Sequence, residues 1–160
     1  MRILDIIRAD PGLYLREIPR RTNLSLSTVR YHLRRLQDEA LVEPHRSGHY
    51  LRYFPADGIT REDRPLVAAL RSGPQRAILM ELLTHPLTFS ELGEATGLVP
   101  ATLSLHLRHL LRTGLVKRAS TNGGMAFRAS SAKDVSRVAT FLRRGFTERL
   151  SAAALEIFEG

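Results

Sequence analysis

The chain has 160 residues, carries 24 Lys+Arg against 16 Asp+Glu for a net charge of +8, and contains no cysteine. That length allows two small cores rather than two large ones, the charge favours an anionic partner such as nucleic acid or an acidic membrane surface, and the missing cysteine excludes disulfides, thiolate metal sites and cysteine redox sensing. No apolar run approaches the roughly 20 residues of a membrane span, and the opening Met1-Arg2-Ile3-Leu4-Asp5 is no signal peptide, so a cytoplasmic protein without a membrane partner is expected.

Ile3, Leu4 and Ile7 give the first eight residues the pattern of a short amphipathic helix, and Asp10-Pro11-Gly12 ends it. Tyr14-Leu15 suits a short strand. Arg16 to Thr22 suits a second helix, with Pro19 in its first turn. After the turn Thr22-Asn23-Leu24, Ser25 or Ser27 caps a third helix over 27–40, in which Val29, Leu33 and Leu36 form the buried stripe. Ser27, Thr28, Arg30, Tyr31 and Arg34 lie off that stripe. Two short extended runs around Ser47-Gly48 then form a β-hairpin, with the wing at 45–52.

Helix, helix, turn, helix, hairpin is the order of a winged helix-turn-helix. Its third helix enters the DNA major groove by its N-terminal half, and the second crosses the backbone. The polar stretch Asp57 to Pro65 marks a domain boundary. Leu66 to Leu70 begins a helix that Ser72-Gly73-Pro74 interrupts.

The pattern then repeats. LREIPRRTNLSLSTVRYHLRRLQDEALV (Leu15 to Val42) returns as FSELGEATGLVPATLSLHLRHLLRTGLV (Phe89 to Val116) at a constant offset of 74 without a gap. Thr28 matches Thr102, His32-Leu33 matches His106-Leu107, and Leu41-Val42 matches Leu115-Val116. The expected architecture is mainly α with small β-hairpin wings: tandem winged helix-turn-helix domains at 1–57 and 74–130, a linker at 58–73, and a long amphipathic helix at 131–160. On that last helix Val135, Val138, Leu142, Phe146, Leu150 and Ile157 recur at helical spacing. Such a stripe needs a partner. Self-pairing into a homodimer is the main reading, folding back onto the same chain the second, and a membrane-surface helix a weaker third.

The two copies differ in charge placement. The second helix of copy one carries Arg16, Arg20 and Arg21, suited to phosphates, where copy two has Ser90, Glu94 and Ala95. Arg30, Tyr31, Arg34 and Arg35 become Ser104, Leu105, Arg108 and His109. Wing one carries His45, Arg46, His49 and Arg52; wing two has Ala119, Ser120, Gly123 and Ala126 between Lys117, Arg118 and Arg128. Copy one is the better DNA reader. Copy two makes fewer DNA contacts, or packs on protein through Leu105, or reads an AT-rich site through Thr102, Ser104 and methyl contacts; Arg108 and Lys117 are its DNA-binding candidates. Arginine suits phosphate and guanine better than lysine, and only Lys117 and Lys133 are lysines, although a GC-rich genome gives the same bias.

Six histidines raise a metal question. His106 and His109 share a helical face, and His45 and His49 flank a turn, but no carboxylate stands at matching spacing, so no metal is expected. His32 and His106 are equivalent in the repeat and are expected to pack at the edge of the buried stripe. No phosphate-cradling glycine loop, nucleophile signature or carboxylate pair suggests an enzyme or a cofactor.

The run PGLYLREIPRRTNLSLSTVRYHLRRLQDEALV, followed by RSGHYLRYFP, resembles archaeal winged-helix regulators of the ArsR/MarR type, which often read "NPG…REL…LS.GTV.YHL..L...GLI" and then "R..G.Y.RYFP". The second unit, from Leu70 to Val116, is similar to the ArsR-type opening and core. The resemblance covers roughly Met1 to Ala129 and implies a transcriptional regulator whose partner is double-stranded DNA. A non-specific architectural DNA protein and a winged-helix protein–protein module stay open beside it. No small-molecule effector is legible in the sequence.

Overall fold

The structure, a computed structural model, describes residues 2–140 and Leu142. The chain divides between Arg64 and Pro65 into two compact units.

The first unit runs α1 (Ile3–Ala9), β1 (Leu13–Tyr14), α2 (Glu17–Thr22), α3 (Leu26–Asp38), β2 (Val42–Ser47) and β3 (Tyr50–Pro55). Helix α1 buries Ile3, Ile6 and Ile7. The chain turns out of it at Asp10-Pro11-Gly12, where the buried Asp10 carboxylate accepts from the Arg21 guanidinium of α2. Tyr14 N–H donates to the Glu17 carboxylate at 2.9 Å, which joins β1 to the first turn of α2. Asn23, left-handed at φ 60°, ends α2. Ser25 caps α3, its hydroxyl accepting from the Thr28 N–H at 3.1 Å. The core gathers Ile3, Ile6, Ile7, Leu13, Ile18, Val29, Leu33, Val42 and Tyr53, with Leu36 partly buried against it.

The helical pattern of the sequence continues to Ala40, but α3 ends at Asp38. Ala40 takes a left-handed φ of 54°, and Leu41 N–H returns to Leu36 O at 2.9 Å. At the matching place the second unit has Gly114, at φ 76°. A Cβ in this region clashes with its own backbone, so the first unit holds a strained residue where the second holds a relaxed one.

The second unit contains α4 (Arg64–Arg71, which begins at the boundary), α5 (Gly73–Glu81), β4 (Leu87–Thr88), α6 (Phe89–Thr96), α7 (Pro100–Arg112), β5 (Val116–Thr121) and β6 (Gly124–Ala129). Its core holds Ile78, Leu79, Leu92, Leu103, Leu107 and Leu110. Thr88 and Glu91 form a reciprocal capping box at α6. Both sheets are antiparallel and three-stranded, in the orders β1-β3-β2 and β4-β6-β5.

Residues 132–140 are helical. Val135 and Val138, which the sequence reading gives to a dimer interface, are only 2% and 3% exposed. They are buried within the single chain and are not free for a partner. Leu142 is half-buried. Phe146, Leu150 and Ile157 lie outside the described residues. Among the described residues no helix is long and apolar enough to cross a membrane, and no group of three His, Asp or Glu side chains could hold a metal ion.

One charged cluster ties the base of the first hairpin to the chain that follows it. Glu43 accepts from Arg61 at 3.2 Å and from Arg64 at 2.6 Å. The buried Arg64 guanidinium also lies 5.6 Å from the Phe54 ring centre. The hydrogen bonds from Arg64 and Arg61 hold the Glu43 carboxyl down from its ordinary 4.5 to about 2. A carboxyl depressed in the folded state contributes stability that is fully present above its unfolded value and is lost as pH falls through the folded one.

Two outcomes are expected. Ala40→Gly should raise unfolding free energy by about 0.5–1 kcal/mol, read as a higher urea midpoint; an unchanged midpoint would mean that the left-handed alanine costs nothing. The difference in melting temperature between the native protein and Glu43→Gln should shrink as pH is lowered from about 5 to about 2. A difference that stays constant across that range would mean the clamp is not titrating.

Candidate nucleic-acid interface

The exposed face of α3 carries Ser27, Arg30, Tyr31, Arg34 and Arg35, while Val29 and Leu33 point into the core. Its N-terminal hydroxyls form a local network: Ser25 Oγ lies 2.9 Å from Ser27 Oγ and 2.8 Å from Thr28 Oγ1. Thr28 is half-buried beneath that network. Arg30 and Arg34 stand one turn apart. Arg35 turns to Glu39 at 3.6 Å. On α2, Arg20 is exposed, and Arg16 stands exposed at the N-cap, whereas Arg21 is tied to Asp10. Among the described residues Arg16, Arg20, Arg30, Arg34 and Arg46 form no ion pair.

The hairpin has two chemically distinct faces. Directly paired residues of an antiparallel sheet point to the same side. The register pairs Val42 with Pro55, Pro44 with Tyr53, and Arg46 with Leu51. Val42 and Tyr53 belong to the core that contains Val29 and Leu33 of α3, so Arg46 and Leu51 sit on the α3 side. Burial raises the Tyr53 phenol above its ordinary value, and the Arg30 charge acts in the opposite sense, which places Arg30 near this side as well. The other face pairs Glu43 with Phe54, His45 with Arg52, and Ser47 with Tyr50.

That geometry corrects the assignment of Arg52. The sequence reading puts it on DNA with Arg46 and His49. Arg52 is 5% exposed, faces away from α3, and donates to Gly12 O at 2.7 Å. Its guanidinium lies 5.1 Å from the Tyr14 ring centre. It is a structural pin. His49 is exposed at the wing turn, and Arg46 is exposed beside it. His45 is half-buried edge-on to Phe54, with ring centres 5.8 Å apart. Burial first, then the charges of Arg64 and Arg52, push its imidazole below the ordinary value, so it is held neutral on the back of the wing.

Parity rearranges the second hairpin too. Lys117 pairs with Arg128 and takes the position equivalent to Glu43, away from α7. The exposed cation on the α7 side is Arg118, paired with Phe127. The sequence pattern gives Arg118 only as one of the charges at the ends of the second wing and gives Leu51 no role, although strand alternation from the buried Val116 and Val42 places both on the helix side. On α7, Arg108 is exposed and Thr102 and Ser104 are half-buried. Val99 and Leu105, 63% and 62% exposed, are the large side chains this helix offers to solvent near its N-terminus. Ser90, Glu91 and Glu94 are exposed on α6. The two equivalent histidines also part ways. His106 is half-buried, with Nδ1 3.5 Å from Gln75 Nε2, whereas His32 is exposed and edge-on to Tyr31 rather than packed at the stripe.

The comparisons with known proteins agree with the geometry. Residues 1–43 match the family described as winged helix-turn-helix DNA-binding. Residues 73–118 match the family described as bacterial regulatory protein, arsR family. The uncharacterized HTH-type transcriptional regulator of Methanocaldococcus jannaschii is 32% identical over 115 residues, which is 72% of this chain and 29% of that protein. The chain therefore spans under a third of the relative's length. HlyU from Vibrio cholerae is 30% identical over 49% of this chain and 85% of its own, with a TM-score of 0.42. The homodimeric winged helix-turn-helix DNA-binding domain from Mycobacterium bovis is 22% identical over 60% of this chain and 94% of its own, with a TM-score of 0.47. Residues 1–43 are similar to winged helix-turn-helix DNA-binding domains, and residues 73–118 to the arsR family of regulatory proteins.

Proposed function

We propose that this protein is a cytoplasmic DNA-binding transcription regulator, a binding protein rather than an enzyme, built of two tandem winged-helix copies. The observation that carries this reading is the set of unpaired arginines on the first unit. Arg30 and Arg34 stand exposed on α3, and Arg46 stands exposed on the α3 side of the wing. Arginines on a helix that fits the major groove serve guanine edges and phosphates, and a wing arginine serves the flanking backbone. Arg16 and Arg20 of α2 supply further phosphate contacts. Such a surface suits a sequence-reading protein better than a purely architectural one, because Ser27, Tyr31 and Arg34 offer distinct base-edge chemistry.

The second unit takes a different part. Val99 and Leu105 present apolar surface, and Glu94 places negative charge where the first unit has Arg20. That combination favours contact with protein, or with thymine methyls, over phosphate binding. The part of the C-terminal stripe left for a second chain is Leu142, Phe146, Leu150 and Ile157. Each apolar side chain of that kind gains roughly 1.5–3 kcal/mol on full burial, so we read this segment as a homodimer contact that sets two copies of α3 on inverted half-sites.

Replacing Arg30 and Arg34 together by alanine should weaken DNA binding at least about tenfold, measured by mobility shift. The Arg108→Ala plus Lys117→Ala variant should lose far less. Equal losses would assign the DNA equally to both units. Phe146→Glu plus Leu150→Glu should turn a dimer into a monomer in light scattering and weaken binding to an inverted repeat. A monomeric native protein at micromolar concentration would remove the dimer reading and leave the fold-back arrangement.

A further inference from the structure

Strand β1 contributes only two residues to the first sheet, Leu13 paired with Tyr53 and Tyr14 paired with Arg52. Past Arg52 the hairpin has no third strand, yet it continues through Leu51 and Tyr50 to the turn at Gly48-His49. A two-stranded ribbon alone is marginally ordered in water. A stack of side chains on the back face carries the support further. Arg52 is fixed to Gly12 O and lies 5.1 Å from the Tyr14 ring centre. Tyr50, two positions nearer the tip on the same face, stacks on that ring with centres 5.5 Å apart and planes at 28°. Tyr50 is 60% exposed, so this contact answers to no core packing. The second wing has Thr88, Ala126 and Gly124 at the three matching positions and lacks any such stack.

We propose that Arg52, Tyr14 and Tyr50 form a clamp that braces the first wing from behind at the angle where Arg46 meets the DNA backbone, with Tyr50 as its positioning residue. The proposal rests on the reading above that this wing contacts DNA. An aromatic pair couples its two strands without touching the opposite face, so Arg46 stays free while its backbone is held. Holding a loop in its bound geometry strengthens binding by removing the ordering cost at association.

The test uses the full chain and a duplex that the native protein selects from a random pool. Affinity is measured across a salt series for the native protein, Tyr50→Ala, Tyr50→Phe, Arg46→Ala and the Tyr50→Ala plus Arg46→Ala pair. Backbone NMR order parameters are recorded at Gly48 and His49 in the free proteins. Tyr50→Ala should weaken binding about 3- to 10-fold, reduce the salt slope by about one charge and lower the order parameters. Tyr50→Phe, which keeps the stack, should restore all three. In the Arg46→Ala background Tyr50→Ala should add little, because the contact it positions is already gone. Full affinity in Tyr50→Ala beside a clear loss in Arg46→Ala overturns the clamp. So do additive losses, which would put Tyr50 itself on the DNA. Arg46→Ala with unchanged affinity and salt slope overturns the wing–DNA reading instead, and the order parameters then report on the brace separately.

Discussion

The wing of the first unit hangs on a strand of two residues, and nearly everything functional follows from their alternation. Leu13 enters the core, so Tyr14 must point to the opposite face of the sheet. Gly12 N–H bonds to Tyr53 O at 2.9 Å, and Tyr14 N–H bonds to Glu17. Gly12 and Tyr14 thus tie this short strand to the hairpin and to the start of α2. Pairing Tyr14 with Arg52 sends Arg52 behind the wing and leaves Arg46 in front. A slip of one residue in that register would exchange the two arginines, burying the one suited to DNA and exposing the one that pins the strand.

The second unit uses the same scaffold with different surface chemistry. Its helix α6 is closed by a capping box in which the Thr88 N–H donates to Glu91 at 2.7 Å, and that backbone hydrogen bond is the main reason the Glu91 carboxyl sits below its ordinary value. The carboxylate is thus needed for the helix start, as Glu17 is in the first unit. What differs lies three residues on, where the first copy has Arg20 and the second Glu94. Lys117 opposite Arg128 adds a like-charge pair on the back of the second wing, which weakens rather than braces it. The proposed division of labour between the units rests on these exchanged side chains, because the helix starts and the buried stripes are kept.

Much of this was legible in the sequence. Val29 and Leu33 have helical spacing, and the structure buries both. The hairpin followed from its glycine turn. The bend at Ala40 had a signal, since its partner in the repeat is Gly114, but an alanine offers no local reason to stop a helix. Arg52 could not be assigned from its neighbours. An arginine in a hairpin reads as surface, and its acceptor, Gly12 O, lies 40 residues away in sequence. Only the count by twos from Val42, carried across the turn, reveals its face. Val135 and Val138 teach a related point: a periodic stripe says that a face is covered, and says nothing about whether the cover belongs to the same chain.

Net charge overstates what the proposed DNA-binding surface carries and says nothing of where it is carried. Arg8 pairs with Asp57, Arg21 with Asp10, Arg35 with Glu39, and Arg61 and Arg64 share Glu43. Those cations are locally neutralised, and several hold the fold. The salt dependence of binding counts phosphates neutralised, not formal charges in the chain. The relevant number is therefore set by the arginines left without an acidic neighbour, and among the described residues of the first unit these include Arg16, Arg20, Arg30, Arg34 and Arg46. By placing acidic residues beside Arg8, Arg21, Arg35, Arg61 and Arg64, the sequence leaves uncompensated charge in the first unit on α2, on α3 and on the α3 side of the wing.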